Sequence, residues 1–282
     1  MNVGELQIIE KLTGVAPEHI KLADDGFWSR GYIIDGGRIV FKFKKDPEVS
    51  YKTEIKALEF IGSLHPNINI QRVEWVSPDD KYLGIYGVVG EPLDTLDLLD
   101  YASIGKQLAD FLRKLHQSQP AVAEEMTVDE EVKAWQERYQ KSRTELLQFF
   151  SEAELARLDH FVFDTVPAKL EQLGEKLVFS HGDLGGGNIL VDENGKVGII
   201  DFSEMLYLDE AADFMDVSSN ELREQMLMSY GADDNLREKV RIRVLVRPLF
   251  VFGDYARRGD ATYVGELVAK IRELLEKNYD QI

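Results

Sequence analysis

Cysteine is missing from all 282 residues, so neither a disulfide framework nor a thiolate metal site can form. Positive charge is scarce as well. The chain has 33 Lys and Arg against 51 Asp and Glu, a formal net charge of −18. Such a field repels nucleic acid and anionic membranes and attracts small cations, so no nucleic-acid partner is expected. Long apolar runs are lacking too. The most apolar late stretch, "VLVRPLFVFG", is interrupted by Arg247 and Pro248 and is far short of the roughly 20 residues a membrane helix needs. The opening "MNVGELQIIEKLTG" shows no basic segment followed by an apolar one. A cytoplasmic, monomeric protein with no membrane partner is the expectation.

What is present is unevenly distributed. Residues 1–93 carry 11 basic and 14 acidic side chains, whereas the remainder carries 22 and 37. The net charge is therefore −3 in the first part and −15 in the second. Apolar spacing predicts a first helix through Leu6, Ile9 and Leu12, stopped at Gly14. "GYIIDGGRIVFKFKK" reads as two strands around Asp35-Gly36-Gly37, "SYKTEIKALEFIGSL" as a helix, and "RVEWVS" and "YLGIYGVV" as strands. Beyond "GEPLD" the pattern is helical over about 101–116, 129–148, 152–173, 219–230, 235–256 and 262–278. The expected organisation is a strand-rich lobe over 1–89 and a larger, mostly helical lobe over 90–282.

One strand-rich segment breaks the helical part: "HGDLGGGNILVDENGKVGIIDF". Its three glycines do not cradle a phosphate in the manner of a Walker or dinucleotide loop, because both of those open a helix and this loop runs into a strand. Asn194-Gly195 is the preferred dipeptide of a two-residue hairpin turn. With those two residues at the centre, Ile189 faces Ile200 and Asn188 faces Asp201. Opposed residues have Cβ atoms about 4.5–5.5 Å apart, so an amide and a carboxylate would reach one cation together. Oxygen ligands of this kind suit Mg²⁺, whose remaining ligands come from phosphates and water. Asp183, five residues before Asn188, is free to face a substrate. Asp, Asn and Asp in this order match the base, metal amide and metal carboxylate of kinase chemistry. The same chemistry calls for a strand lysine and a helix glutamate earlier in the chain. "RIVFKFKK" offers Lys42 and Lys44, and "TEIKALEF" offers Glu54 and Glu59.

These motifs, with "DDGFWSRGYII", "VVGEPL", "IGKQLADFLRKLH" and "LDEAADF", resemble the aminoglycoside phosphotransferase family. These are small-molecule kinases with a protein-kinase-like fold. The 2″-phosphotransferases look nearest, through their similar "FKF" strand. The resemblance implies a two-lobed α+β fold with a small antiparallel sheet and a larger helical lobe. It implies Lys42 as the phosphate-contacting lysine and Glu54 as its partner. "GFWSRG" becomes the nucleotide flap, with Ser29 in contact, and residues 86–89, through Tyr86 and Val88, become the base-contacting hinge. Asp183 becomes the catalytic aspartate, Asn188 and Asp201 become the Mg²⁺ ligands, and His181 becomes structural. Three places depart from the family pattern: a flap without G-x-G-x-x-G, Ser203 after "DF", and "LDEAADF" in place of "GDPxxDF".

The implied reaction is γ-phosphoryl transfer from ATP or GTP to a hydroxyl. The acidic second part suggests a cationic small-molecule acceptor such as an aminoglycoside-like amino sugar, walled by Asp213, Asp216, Asp254, Phe252 and Tyr255. Alternatives are a macrolide, choline, homoserine or sugar acceptor, or a kinase-fold nucleotide binder that transfers nothing.

Overall fold

In the computed structural model, which describes residues 1–24, 29–46, 50–97, 100–120, 124–217 and 219–277, the N-terminal strand signals come together as one antiparallel sheet. Its order is β1 (Lys21–Asp24), β2 (Ser29–Ile34), β3 (Ile39–Lys44), β6 (Tyr82–Tyr86) and β5 (Arg72–Val76). Alternation in β3 sends Phe41 and Phe43 into a core with Tyr32 and Ile34, against Ile9 of α1 (Val3–Thr13). The opposite face carries Val40, Lys42 and Lys44, as the alternation requires. Helix α2 (Lys52–Ser63) packs against β5 and buries Glu54, Leu58 and Ile61.

A second sheet orders β4 (Asn69–Ile70), β10 (Val197–Ile199), β9 (Ile189–Val191) and β7 (Glu91–Pro92). Helix α3 (Tyr101–His116) steadies the β9–β10 hairpin through Gln107. This amide donates to Gly195 O at 2.9 Å and accepts from the Val197 N–H at 3.1 Å. Helix α9 (Asn220–Tyr230) packs on α3.

The hairpin register differs from the expected one by a residue. Val191 pairs with Val197, Leu190 with Gly198 and Ile189 with Ile199, and Asn188 O accepts from the Ile200 N–H at 3.0 Å. Asn188 therefore opposes Ile200, not Asp201. The cause lies in the turn. Asp192 O accepts from Gly195, which adopts φ 73°, and the Asp192 carboxylate accepts from the N–H groups of Asn194 and Lys196 at 2.9 and 2.8 Å. That is a three-residue loop, a type I turn closed by a left-handed glycine, in place of the two-residue turn.

The chain divides into two compact units. The elements above belong to the first, made of Met1–Pro120, His181–Met205 and Val217–Tyr230. The boundary expected at residue 89 falls inside it, because β4 before Gly90 and β7 after it pair with the same hairpin.

The second unit, Ala121–Ser180, Leu206–Asp216 and Gly231–Ile282, is helical apart from β8 (Leu177–Ser180) paired with β11 (Leu206–Asp209). Its helices are α4 (Val128–Lys141), α5 (Arg143–Leu146), α6 (Glu152–His160), α7 (Val166–Leu173), α8 (Ala212–Met215), α10 (Asp234–Arg258) and α11 (Ala261–Glu276). The run expected over 129–148 breaks at Ser142, whose hydroxyl bonds back to Arg138 O at 2.8 Å. The run over 152–173 contains one wide turn, Phe161–Thr165, followed by Pro167 in the first turn of α7. Trp135 and Phe250 stack at 5.3 Å in the unit's core, with Leu155, Phe161, Leu249 and Phe252 around them.

Candidate active site

Lys42 occupies the middle of β3, on the face away from the aromatic core. Its ammonium donates to Glu54 Oε1 at 2.6 Å and to Asp201 Oδ1 at 2.9 Å. Burial alone would lower this lysine, but the two carboxylates hold it above the ordinary value of 10.5. Glu54, in the first turn of α2, is 3% exposed, and burial pushes its carboxyl up against the pull of Lys42. Lys44 pairs with Asp80 at 2.6 Å instead. The structure thus selects Lys42 and Glu54 from the sequence candidates.

The loop after β8 builds a second cluster. His181 is fully buried against Phe202, at 4.9 Å between ring centroids. Its Nδ1 accepts from the Asp183 N–H at 3.3 Å, which leaves Nε2 to donate to Ile200 O at 3.2 Å. The ring ties the loop to the chain ahead of Asp201, a structural role. Asn188 donates its Nδ2 to both Asp183 O and Asp183 Oδ2 at 2.9 Å. The two acceptors fix the amide's orientation and turn its carbonyl oxygen away. Within the three-glycine run, Gly186 is the one that packing demands. A Cβ there would lie 1.8 Å from Asp94 Oδ1.

Asp201 lies beyond the end of the β10 ladder and adopts φ 61°, a left-handed conformation rare for a side-chain-bearing residue. Buried Gln71 holds it by accepting the Asp201 N–H at 3.1 Å, and the Ser203 hydroxyl donates to its carboxylate at 3.0 Å. This left-handed step, not hairpin facing, aims the carboxylate at Lys42. Burial works against the Asp201 anion, yet Lys42 and Ser203 hold its carboxyl below the ordinary aspartate value. Glu204, which sequence reasoning missed, packs its backbone against Gly182. Burial, then the charges of Asp183 and Asp201, push its carboxyl up. Three carboxylates therefore share one neighbourhood with Lys42 as the balancing cation, an arrangement that favours added positive charge.

Among the described residues no three His, Asp or Glu side chains converge as a metal cage. The oxygen donors expected from the sequence are the Asn188 carbonyl oxygen and the Asp201 carboxylate, two in number. That small number fits Mg²⁺, which takes one or two carboxylates and completes its shell with phosphate and water.

The other expected residues fall as follows. Gly26, Phe27 and Trp28 of the flap lie outside the described residues; Ser29, at the start of β2, shares a 2.8 Å hydrogen bond with the Tyr51 hydroxyl. Tyr86 ends β6 beneath the Arg72 guanidinium, and Val88 is buried where Gly198 leaves room for it. In the second unit Asp213 is 1% exposed, so it has no open carboxylate to wall a pocket. Asp216 is paired with Arg247, and Asp254 with Arg138 and Arg257. Tyr255 packs on Tyr263 at 4.0 Å, and Phe252 is fully buried.

A strand lysine held by a helix glutamate, with an Asp–Asn loop and a second aspartate after a hairpin, is the equipment of a phosphoryl-transfer site. Residues 19–244 match the phosphotransferase enzyme family, and the chain belongs to it. The class so defined is a kinase-like phosphotransferase acting on hydroxyl groups. No curated protein sequence matches the chain. Solved structures match over nearly its whole length. The GDP and kanamycin complex of the aminoglycoside phosphotransferase APH(2″)-IIIa has a TM-score of 0.77 at 19% identity, covering 98% of this chain and 100% of its own. A macrolide 2′-phosphotransferase from Brachybacterium faecium gives 0.67 at 17%, over 95% and 97%. A choline/ethanolamine kinase family protein from Mesorhizobium loti gives 0.70 at 17%, over 97% and 93%. At these identities the likeness is one of fold: α+β and kinase-like.

Proposed function

We propose that this phosphotransferase moves the γ-phosphoryl group of ATP or GTP onto a hydroxyl of an aminoglycoside-like amino sugar, with Asp183 as the catalytic base. The observation that carries the chemistry is the pairing of Asp183 with Asn188 beside the Lys42–Glu54–Asp201 triad. Asp183 is exposed, and Asn188 donates to one of its carboxylate oxygens, which orients the carboxylate to take a proton from a bound alcohol. As the hydroxyl O–H bond breaks toward Asp183, its oxygen bonds to the γ-phosphorus. The bond from that phosphorus to the β-bridging oxygen breaks, and a nucleoside diphosphate leaves. Lys42 places a fixed positive charge against the phosphates throughout. Mg²⁺, held by Asn188 and Asp201, supplies neutralisation of phosphate charge when bound. Ser29, Tyr86 and Val88 contact the nucleotide on this reading.

The acceptor is the finer part of the reading. The family likeness and the net charge of −15 after residue 93 support a cationic sugar. One observation favours a second reading, a neutral acceptor such as a macrolide. Asp216 and Asp254 already have arginine partners, so an ammonium group would have to compete for them.

A panel of amino sugars, macrolides, sugars and amino alcohols, assayed for nucleotide consumption at rising ionic strength, separates the two. Amino sugars should turn over with a KM that climbs as salt screens charges within about 8–10 Å. Asp183→Ala is the blank and should lose roughly 10²–10⁴-fold in kcat while still binding nucleotide. Turnover of macrolides alone, insensitive to salt, would transfer the assignment to the second reading. Near wild-type turnover in the variant would remove Asp183 as base.

A further inference from the structure

Helix α2 carries Glu54, and its start is tied down from two sides. The Tyr51 side chain makes no capping bond, but the Ser50 hydroxyl accepts from the Lys52 N–H of the first turn at 3.3 Å. A residue from another element holds Ser50 and Tyr51 in turn. Asp80, in the turn between β5 and β6, accepts from the Tyr51 N–H at 3.2 Å and from the Ser50 hydroxyl at 3.0 Å. Its other oxygen contact is to β3, where Lys44 Nζ donates at 2.6 Å. The same turn takes hold of β3 by its backbone too, since the Lys44 N–H donates to Lys81 O at 3.2 Å.

Asp80 adopts φ 56°, so the backbone is bent into the left-handed region to point this carboxylate inward. Ser77 shapes the bend, accepting the Asp80 N–H on its carbonyl at 3.0 Å. Burial opposes the anion, yet Lys44, Ser50 and Tyr51 hold the Asp80 carboxyl below the ordinary aspartate value. The buried Tyr51 ring lies under Lys44 Nζ at 5.5 Å and passes the link to β2 through its 2.8 Å bond with Ser29.

The two elements that Asp80 joins, β3 and α2, are the two whose side chains form the Lys42–Glu54 pair. Lys44 is two residues from Lys42 on the same strand face, and Tyr51 is three residues before Glu54. We propose that Asp80 is a positioning residue for phosphoryl transfer: it anchors the start of α2 through Ser50 and Tyr51 and fixes the helix against β3, so that Glu54 meets Lys42. A negative charge at a helix N-terminus also suits the helix dipole. The proposal rests on Lys42 and Glu54 serving the nucleotide, as read above.

The test is a double-mutant cycle between Asp80→Asn and Glu54→Gln in the full chain, with nucleotide Kd measured by calorimetry and nucleotide and acceptor KM by steady-state kinetics. Asparagine tolerates the left-handed backbone, so Asp80→Asn removes the charge without straining the turn. Nucleotide Kd and KM should rise roughly two- to thirty-fold, the fold-change equivalent of losing one helix cap. Acceptor KM should stay unchanged. In the Glu54→Gln background the Asp80 substitution should have no further effect on nucleotide Kd. Ser50→Ala, which removes the hydroxyl that donates to Asp80 and accepts from the Lys52 N–H but leaves the Asp80 charge in place, should shift nucleotide KM the same way by less. Equal loss from Asp80→Asn in both backgrounds, or a lowered Tm with unchanged nucleotide KM, overturns the positioning role. If Glu54→Gln itself leaves nucleotide binding untouched, the reading of the Lys42–Glu54 pair fails, and the proposal with it.

Discussion

Each unit of this protein contains a knot of buried charge, and the two are built from the same side-chain types to opposite ends. In the first unit Lys42 sits between Glu54 and Asp201, and the Asp201 side chain keeps 41% of its surface open. In the second, Asp209 is fully buried. It accepts from Lys239 Nζ at 2.8 Å and lies 3.5 Å from Arg243 Nη2, the same nitrogen that donates to Glu131 at 2.7 Å. Burial opposes the Asp209 anion, but Arg243, Lys239 and the Lys176 N–H hold its carboxyl below the ordinary value. Arg243 also lies over the Trp135 ring at 5.6 Å and is itself wholly enclosed. The closed knot pairs its acids with Lys239 and Arg243 inside the unit and locks α4, α10 and β11 together. The open one faces a loop with two further acids. Exposure and backbone strain, more than residue type, separate a structural ion cluster from a reactive one.

The sharpest way to break this contrast is Arg243→Met. Removing Arg243 strands Glu131 in the core and leaves Asp209 to Lys239 and the Lys176 N–H, at a cost of about 3–5 kcal/mol. A Tm fall of roughly 6–20 °C should follow. Nucleotide KM of the protein that remains folded should stay at the wild-type value. A Tm loss as large in Glu54→Gln would mean that the open knot is structural as well, and the distinction would collapse.

A smaller effect should come from the open side of the Lys42–Asp201 cluster. Asp201→Asn keeps the left-handed backbone and deletes the charge, and should weaken Mg²⁺–nucleotide binding by about 1.5–3 kcal/mol, the worth of a hydrogen bond to a charged group. Asn188→Ala should lose about 0.5–1.5 kcal/mol, the range for a neutral one. Calorimetric titration with and without Mg²⁺ reads both. A larger loss at Asn188 would reverse the ranking and place the main metal contact on the amide.

The smallest effect concerns proton occupancy. Lys42 has a raised pKa in the folded protein, so its charge and the stability that comes with it are fully present below 10.5 and fade only as pH rises above that value. Nucleotide Kd should therefore show no basic limb from this group below pH 10.5. In Glu54→Gln the burial penalty is met by Asp201 alone, and the limb should move to lower pH. An unmoved limb would show that another group titrates.

Much of this was legible in the sequence because it rests on periodicity. The alternation of "IVFKFK" placed Lys42 opposite the aromatic face, and helical spacing placed Glu54 and Glu59 on one helix, between which the family resemblance chose Glu54. What escaped depended on contacts between distant segments. The hairpin register turned on the Asp192 side chain, which bonds two N–H groups and holds the loop at three residues; the Asn-Gly pair by itself pointed to two. Asp201's backbone depends on Gln71, which lies 130 residues away, and Asp80's role on Tyr51 and Lys44. Glu204 carried no motif. The expected acidic wall failed at Asp213 because formal charge does not reveal burial, and Asp216 and Asp254 were already matched by arginines.

The two bonds of Lys42 have one more consequence. An ammonium group has three N–H donors. Among the described residues two are taken, by Glu54 and Asp201. On the proposed reading, a phosphate oxygen arriving at this site would fill the remaining donor and displace neither carboxylate. Donor binding would then be an addition to a finished framework: β3, α2 and the chain after β10 would stay joined through the same nitrogen before and after the nucleotide enters, and the energy of that contact would go into affinity, with no pair to be broken first.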